Sequence, residues 1–201
     1  MDEMLRILTV CTGNICRSPL AEVLLRTRLS DIRLQVESVG VRAMTGRPMT
    51  AETVRLAQGL GIADDIVAGH RARQITEPVV KDADLVLAMS REHRSSIVEA
   101  VPSALRSTFT LREFARLARE ASDAELLEAM GETRGSRQRV KLAAAFVAGL
   151  RGEVGPPRNP FDDDIPDPYG RGWDAYEKSA SVLVPAVEEA ARVIRMATGR
   201  T

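Results

Sequence analysis

The chain has 201 residues, 44% hydrophobic and 28% charged, enough for one sizeable core, and reads as a single domain over 1–201. Its 28 basic residues cancel its 28 acidic ones, so no global field favours nucleic acid or an anionic membrane surface. Two cysteines without zinc-ligand spacing exclude a disulfide scaffold and leave no metal or cofactor expected; a short apolar start broken by Arg6 reads as neither signal nor membrane segment, hence a cytoplasmic expectation.

Met4 to Val10 reads as a buried strand that runs into Cys11-Thr12-Gly13-Asn14-Ile15-Cys16-Arg17-Ser18-Pro19. Five residues separate Cys11 from Arg17, enough for a tight loop to wrap one tetrahedral oxyanion with its backbone N–H groups turned inward. Gly13 and Asn14 are the loop residues best able to adopt a left-handed backbone. Ser18 is expected to cap, and Pro19 to open, a helix over 19–30 whose Leu20, Ala21, Leu24, Leu25 and Leu29 share one face. The helix N-terminus, the Arg17 fork and the inward N–H groups all favour a bound anion and a Cys11 thiolate.

Leu34 to Val39 reads as a second strand, completing a strand, helix, strand crossover. Thr50 to Leu60 is helical, with Thr50 at the N-cap, Glu52 in the first turn and Gly59 and Gly61 at the stop. Ala83 to Met89 is a third strand, a helix opens near Ser90, and Ser107 to Leu111 is a fourth strand. This alternation predicts an α/β fold, a parallel sheet with helices on both faces and the loop at the carboxyl end of its first strand, where such sheets place ligands.

From about 112 to 155 the pattern is mostly helical, with one stripe of Phe114, Leu117, Ala118 and Ala121 and another of Val140, Ala143, Ala144, Val147 and Leu150. It reads as an inserted helical pair packed on the sheet edge, or alternatively as a lid for partners or substrates. Arg134, Arg137, Arg139 and Lys141 read as a solvated face, with attraction of acidic phosphopeptides as the alternative. Gly152 to Asp167 reads as a long loop, and Trp173, Tyr176, Val182, Leu183, Val187, Ala190 and Ile194 mark a closing helix.

The nine residues from Cys11 to Pro19, after an N-terminal strand, resemble the signature of the low-molecular-weight protein tyrosine phosphatases. Asp167-Pro168-Tyr169-Gly170 is similar to a second family mark, and Gly46-Arg47-Pro48, a helix and His70-Arg71-Ala72-Arg73 to a third. The resemblance covers roughly residues 4–100 and 160–195, and implies four parallel strands in the order 2-1-3-4. It implies a metal-free phosphatase acting on tyrosine-phosphorylated protein, with Cys11 as nucleophile, Arg17 on the phosphate and Asp167 as general acid and then base. Thr12, Gly13, Asn14, Ile15, Cys16 and Ser18 would hold the phosphate, with Ser18 donating to the thiolate and Asn14 and His70 bracing the loop. Tyr169 would wall the substrate ring. Met44 stands where the family commonly has an aromatic residue. A related branch that dephosphorylates arginine has threonine at the place of Ile15, which would crowd a guanidinium and favour phosphotyrosine. The same resemblance allows a reversible Cys11–Cys16 disulfide. A monomer is expected, with a weak dimer as the other possibility.

The competing readings are specific. A merely buried Cys11 leaves Asn14, Arg17 and Ser18 without a reason. Asp167 before proline suits a turn, and Asp162, Asp163 and Asp164 are rivals for the acid role. A thiol arsenate reductase shares a similar loop but needs further redox cysteines, and none follows Cys16. The third alternative is a phosphoprotein-binding module without catalysis.

Overall fold

The first strand decides where everything else goes, because apart from Arg6 and Thr9 its seven residues are apolar, on both faces, and cannot sit at a solvated edge. The computed structural model describes residues 4–199. In chain order it contains β1 (Leu5–Cys11), α1 (Arg17–Arg28), β2 (Leu34–Gly40), α2 (Ala51–Gly59), α3 (Asp64–Ala68), α4 (Glu77–Asp82), β3 (Leu85–Ala88) and α5 (Arg91–Ala100). Then follow β4 (Thr108–Thr110), α6 (Leu111–Glu120), α7 (Asp123–Met130), α8 (Ser136–Gly149), α9 (Arg151–Val154) and α10 (Trp173–Thr198).

The four strands are parallel in the order β2-β1-β3-β4, as expected. Alternation along the strands sorts the core into two layers. Leu5, Ile7, Leu85, Leu87 and Phe109 face a layer formed with α1, α6, α8 and α10. Leu8, Val10, Val39, Val86 and Ala88 face Val80, Ile97 and Val101 on the other side. Phe109 and Phe114 meet edge to face at 5.1 Å in the larger layer.

The structure corrects the reading of 112–155. The expected pair is four helices, and they do not hang on the edge: Val140, Ala143, Ala144 and Val147 of α8 join Leu5 and Ile7 of β1 in the main core. The basic cluster is not simply solvated either. Arg137 and Lys141 reach Asp84, fully buried at the start of β3, at 2.9 and 3.2 Å, and Arg139 Nε donates to the carbonyl of Ala197 at the end of α10. A buried carboxylate needs such partners. The long loop before Asp167 also contains α9 and a 3-10 turn over Pro160–Asp163.

Candidate active site

Cys11 ends β1, and the chain then wraps back over it before α1 begins. Asn14 makes the turn possible with φ of +57°, in the left-handed region. Its amide N–H donates to Cys11 Sγ at 3.2 Å. Gly13 is not left-handed, contrary to expectation, and a Cβ there would meet only ordinary contacts. The glycine that the loop requires is Gly40, paired with Cys11 in the sheet, where a Cβ would lie 2.4 Å from the Thr12 carbonyl oxygen.

Ser18 does not cap α1, which starts at Arg17 after Cys16 without a side-chain cap. Its hydroxyl is spent inside: Cys11 Sγ lies 3.0 Å from Ser18 Oγ. A chain of buried hydrogen bonds orients the side chains beneath it. Glu22 Oε2 accepts from Ser38 Oγ at 2.6 Å, so Ser38 Oγ must accept from Asn14 Nδ2 at 2.8 Å. Asn14 Oδ1 takes the Arg73 N–H at 2.8 Å, which fixes the amide, and its Nδ2 also donates to Ser18 Oγ at 3.0 Å. The Ser18 proton then has two acceptors in reach, the sulfur at 3.0 Å and the Val39 carbonyl at 3.4 Å. The Glu22–Ser38 link anchors the Asn14 side chain, and the Asn14 amide N–H and the Ser18 hydroxyl are the polar groups facing the Cys11 sulfur.

Two histidines brace the loop from opposite sides. His70 Nε2 donates to the Asn14 carbonyl oxygen at 2.8 Å, and since that oxygen only accepts, Nε2 carries the proton. Burial, the largest effect, lowers the pKa of His70. His93 Nε2 lies 2.8 Å from Thr12 Oγ1 and its Nδ1 lies 2.8 Å from Ser90 Oγ, the N-cap of α5. Burial first, and then the nearby Arg17 charge, push His93 down to about 4, so it is neutral at pH 7.

Arg17 is 6% exposed. Its guanidinium donates to the Ile165 carbonyl at 3.1 Å and to Asp167 Oδ2 at 2.6 Å, while its Nε is buried with no partner among the described residues. That orphan donor suits an anion beside the fork. Asp167 Oδ1 accepts from Tyr169 N–H at 3.2 Å. The rival aspartates are engaged elsewhere or differently placed: Asp163 pairs with Arg116 at 2.9 Å, and Asp164 accepts from Arg91 N–H at 2.8 Å. Asp162 lies with Asp163 on a groove between α6 and α10.

Cys11, Thr12, Gly13, Ile15, Cys16, Arg17, Met44, Asp167 and Tyr169 line one cavity of about 150 Å³, together with Arg42. A family model described as low molecular weight phosphotyrosine protein phosphatase matches residues 6–128. The chain belongs to that family. The low molecular weight protein-tyrosine-phosphatase Etp of Escherichia coli K12 is 40% identical over 96 residues, which is 48% of this chain and 62% of Etp. The chain thus spans somewhat under two thirds of that relative. A protein-arginine-phosphatase of Geobacillus stearothermophilus is 39% identical over 109 residues, 54% of this chain and 70% of the relative. Among solved structures, a low molecular weight protein tyrosine phosphatase from T. tengcongensis superposes with a TM-score of 0.64 at 28% identity, covering 94% of this chain and 98% of that one.

Within this phosphatase-family fold, the side chains of Asn14 and Ser18 are fully buried and are not among those that line the cavity. Cys11 and Cys16 are both free thiols. Cys16 sits 3.7 Å from the Thr50 and Tyr176 hydroxyls, and burial pushes its pKa up. Sequence reasoning missed Glu22, Ser38, Gly40, Arg42 and His93. Only His93 left a usable signal, as a histidine three residues after a Ser N-cap, behind the third strand.

Proposed function

We propose that this protein hydrolyses phosphotyrosine in proteins through a cysteinyl-phosphate intermediate. The observation that carries the reading is the convergence of Cys11, the buried Arg17 with its orphan Nε, and Asp167 on one small cavity. In the first step the Cys11 sulfur attacks phosphorus in line and the bond to the phenolic oxygen breaks. That oxygen takes the proton carried by Asp167. Water then attacks the phosphorus, its proton passing to the Asp167 carboxylate, and as the new oxygen–phosphorus bond forms the sulfur–phosphorus bond breaks, so that phosphate leaves and the thiolate is restored. A phosphate dianion competes with Asp167 for Arg17, so binding releases Asp167 toward the leaving group. Arg17 and the loop N–H groups stabilise the charge that spreads over the phosphoryl oxygens.

Tyr169, 53% exposed at the mouth, offers a wall to an aromatic ring, and Ile15 and Met44 add apolar surface beside Arg42. These residues favour phosphotyrosine. The relative named a protein-arginine-phosphatase supports phosphoarginine as the second reading. Thiolate chemistry favours a reducing, cytoplasmic setting.

The test is phosphate release from phosphotyrosine, phosphoarginine and phosphoserine peptides by wild type, Cys11→Ser and Asp167→Asn, with a chelator present. Preferential release from phosphotyrosine, lost in Cys11→Ser, is expected. Asp167→Asn should slow turnover by about 10²- to 10⁴-fold. An unchanged Asp167→Asn rate would remove the acid assignment, and preference for phosphoarginine would install the second reading.

A further inference from the structure

Arg42 lines the catalytic cleft on one side and, on the other, a groove of about 460 Å³ between α4, α5 and the segment after β2. Val80, Ile97 and Val101 give that groove an apolar floor, while Glu77, Glu92 and Ser96 stand along its rim. The groove continues the phosphate loop at both walls. The amides of Val41 and Arg42 donate to the carbonyls of Cys11 and Thr12 at 2.9 and 3.0 Å. Across from them, Glu92 precedes His93, whose imidazole meets Thr12. An extended peptide advances about 3.3 to 3.6 Å per residue, so residues flanking a seated phosphotyrosine pass over Arg42 into this groove.

The lining selects its occupant by charge. Its cation, Arg42, stands at the end nearest the phosphate, whereas the remaining charged groups are carboxylates. Glu92 has no ion-pair partner among the described residues. Glu77 shares Lys81 one turn along the same helix at 2.9 Å, with both side chains more than half exposed, a pairing of little strength. An apolar floor under a carboxylate rim accommodates an aliphatic stem that carries its charge at the tip. We propose that this groove is a substrate subsite that takes a lysine or arginine side chain flanking the phosphotyrosine. The assignment rests on the phosphatase reading above, because it uses the cleft as the anchor of the peptide.

The experiment uses phosphotyrosine peptides with Lys, Ala or Glu at the two positions on either side of the phosphotyrosine. For each variant, kcat/KM on the peptide is divided by kcat/KM on para-nitrophenyl phosphate, which has no flanking residues to reach the groove. Wild type should prefer a Lys peptide over its Glu counterpart roughly fivefold or more, and Glu92→Lys should abolish or invert the preference. Ser96→Tyr, which fills the groove, should reduce the Lys advantage while keeping the Ala and Glu peptides alike. Equal ratios for all peptides in wild type, or an unaltered preference in Glu92→Lys, would overturn the subsite. Fluorescence polarisation of the same labelled peptides on Cys11→Ser and on Cys11→Ser/Glu92→Lys reads the subsite without turnover. If wild type releases phosphate from nothing while Cys11→Ser still prefers Lys peptides, the phosphatase reading fails and the subsite stands; charge-blind binding there sinks the subsite.

Discussion

Asn14 shows how much one residue contributes to this site. It tolerates the left-handed turn, gives its amide N–H to the Cys11 sulfur, and links Ser38 to Ser18 through its side chain. His93 supports the same loop from the far side, and its low pKa makes it a measurable probe. In the unfolded chain an ordinary histidine titrates near 6.5, whereas folded His93 is held to about 4. The unfolded state therefore binds the proton first, and the stability contributed by neutral His93 is complete above about pH 6.5. It falls as pH drops from there toward 4, by roughly 3 kcal/mol in all. Urea unfolding at pH 7 and pH 4.5 should show a smaller pH-dependent loss in His93→Gln than in wild type. Equal slopes would mean that His93 titrates normally.

At the scale of elements, the site depends on close packing between segments distant in sequence. Gly40 ends β2 against the phosphate loop, and Gly40→Ala places its methyl on the Thr12 carbonyl. Overpacking of this kind costs about 1 to 3 kcal/mol, so a lower melting temperature with a larger loss of phosphate affinity is expected. Preserved phosphate affinity by calorimetry would show that the loop has room to shift. Asp84 joins α8 to the sheet: its carboxylate accepts the Arg6 N–H at 2.9 Å and pairs with Arg137 and Lys141. Asp84→Ala removes those ion pairs and leaves the Arg6 N–H without its acceptor, and should destabilise by about 1 to 3 kcal/mol. A change under 1 kcal/mol in denaturant unfolding would return this basic face to the solvated role that its sequence pattern suggests.

Over the whole molecule, α10 and the helices α6 to α8 close one face of the sheet into a single apolar layer. Phe114 lies at its centre, fully buried against Phe109. Phe114→Ala should cost about 3 to 5 kcal/mol in one cooperative transition. Loss of the α6 to α8 signal before the sheet unfolds, read by hydrogen exchange, would instead make those helices a separate unit. The α10 helix also brings Tyr176 to Cys16, so the layer and the phosphate loop share a wall.

The four strands, the helices α1, α2, α5 and α10 and the run from Cys11 to Pro19 were legible in the sequence because they rest on local rules: apolar runs, helix spacing and a contiguous motif. Asp167 was legible through its own short motif. What sets it apart from Asp163 and Asp164 is tertiary: those two go to Arg116 and Arg91, and Asp167 goes to Arg17. The same holds for Glu22, Ser38, Gly40, Arg42 and His93, whose roles arise from contacts across elements. Ser18 makes the contrast plain. By local preference it is a helix cap, yet in the fold a buried sulfur and a buried amide compete for its hydroxyl and win, because unsatisfied polar groups cost more inside the protein than at a helix end open to water.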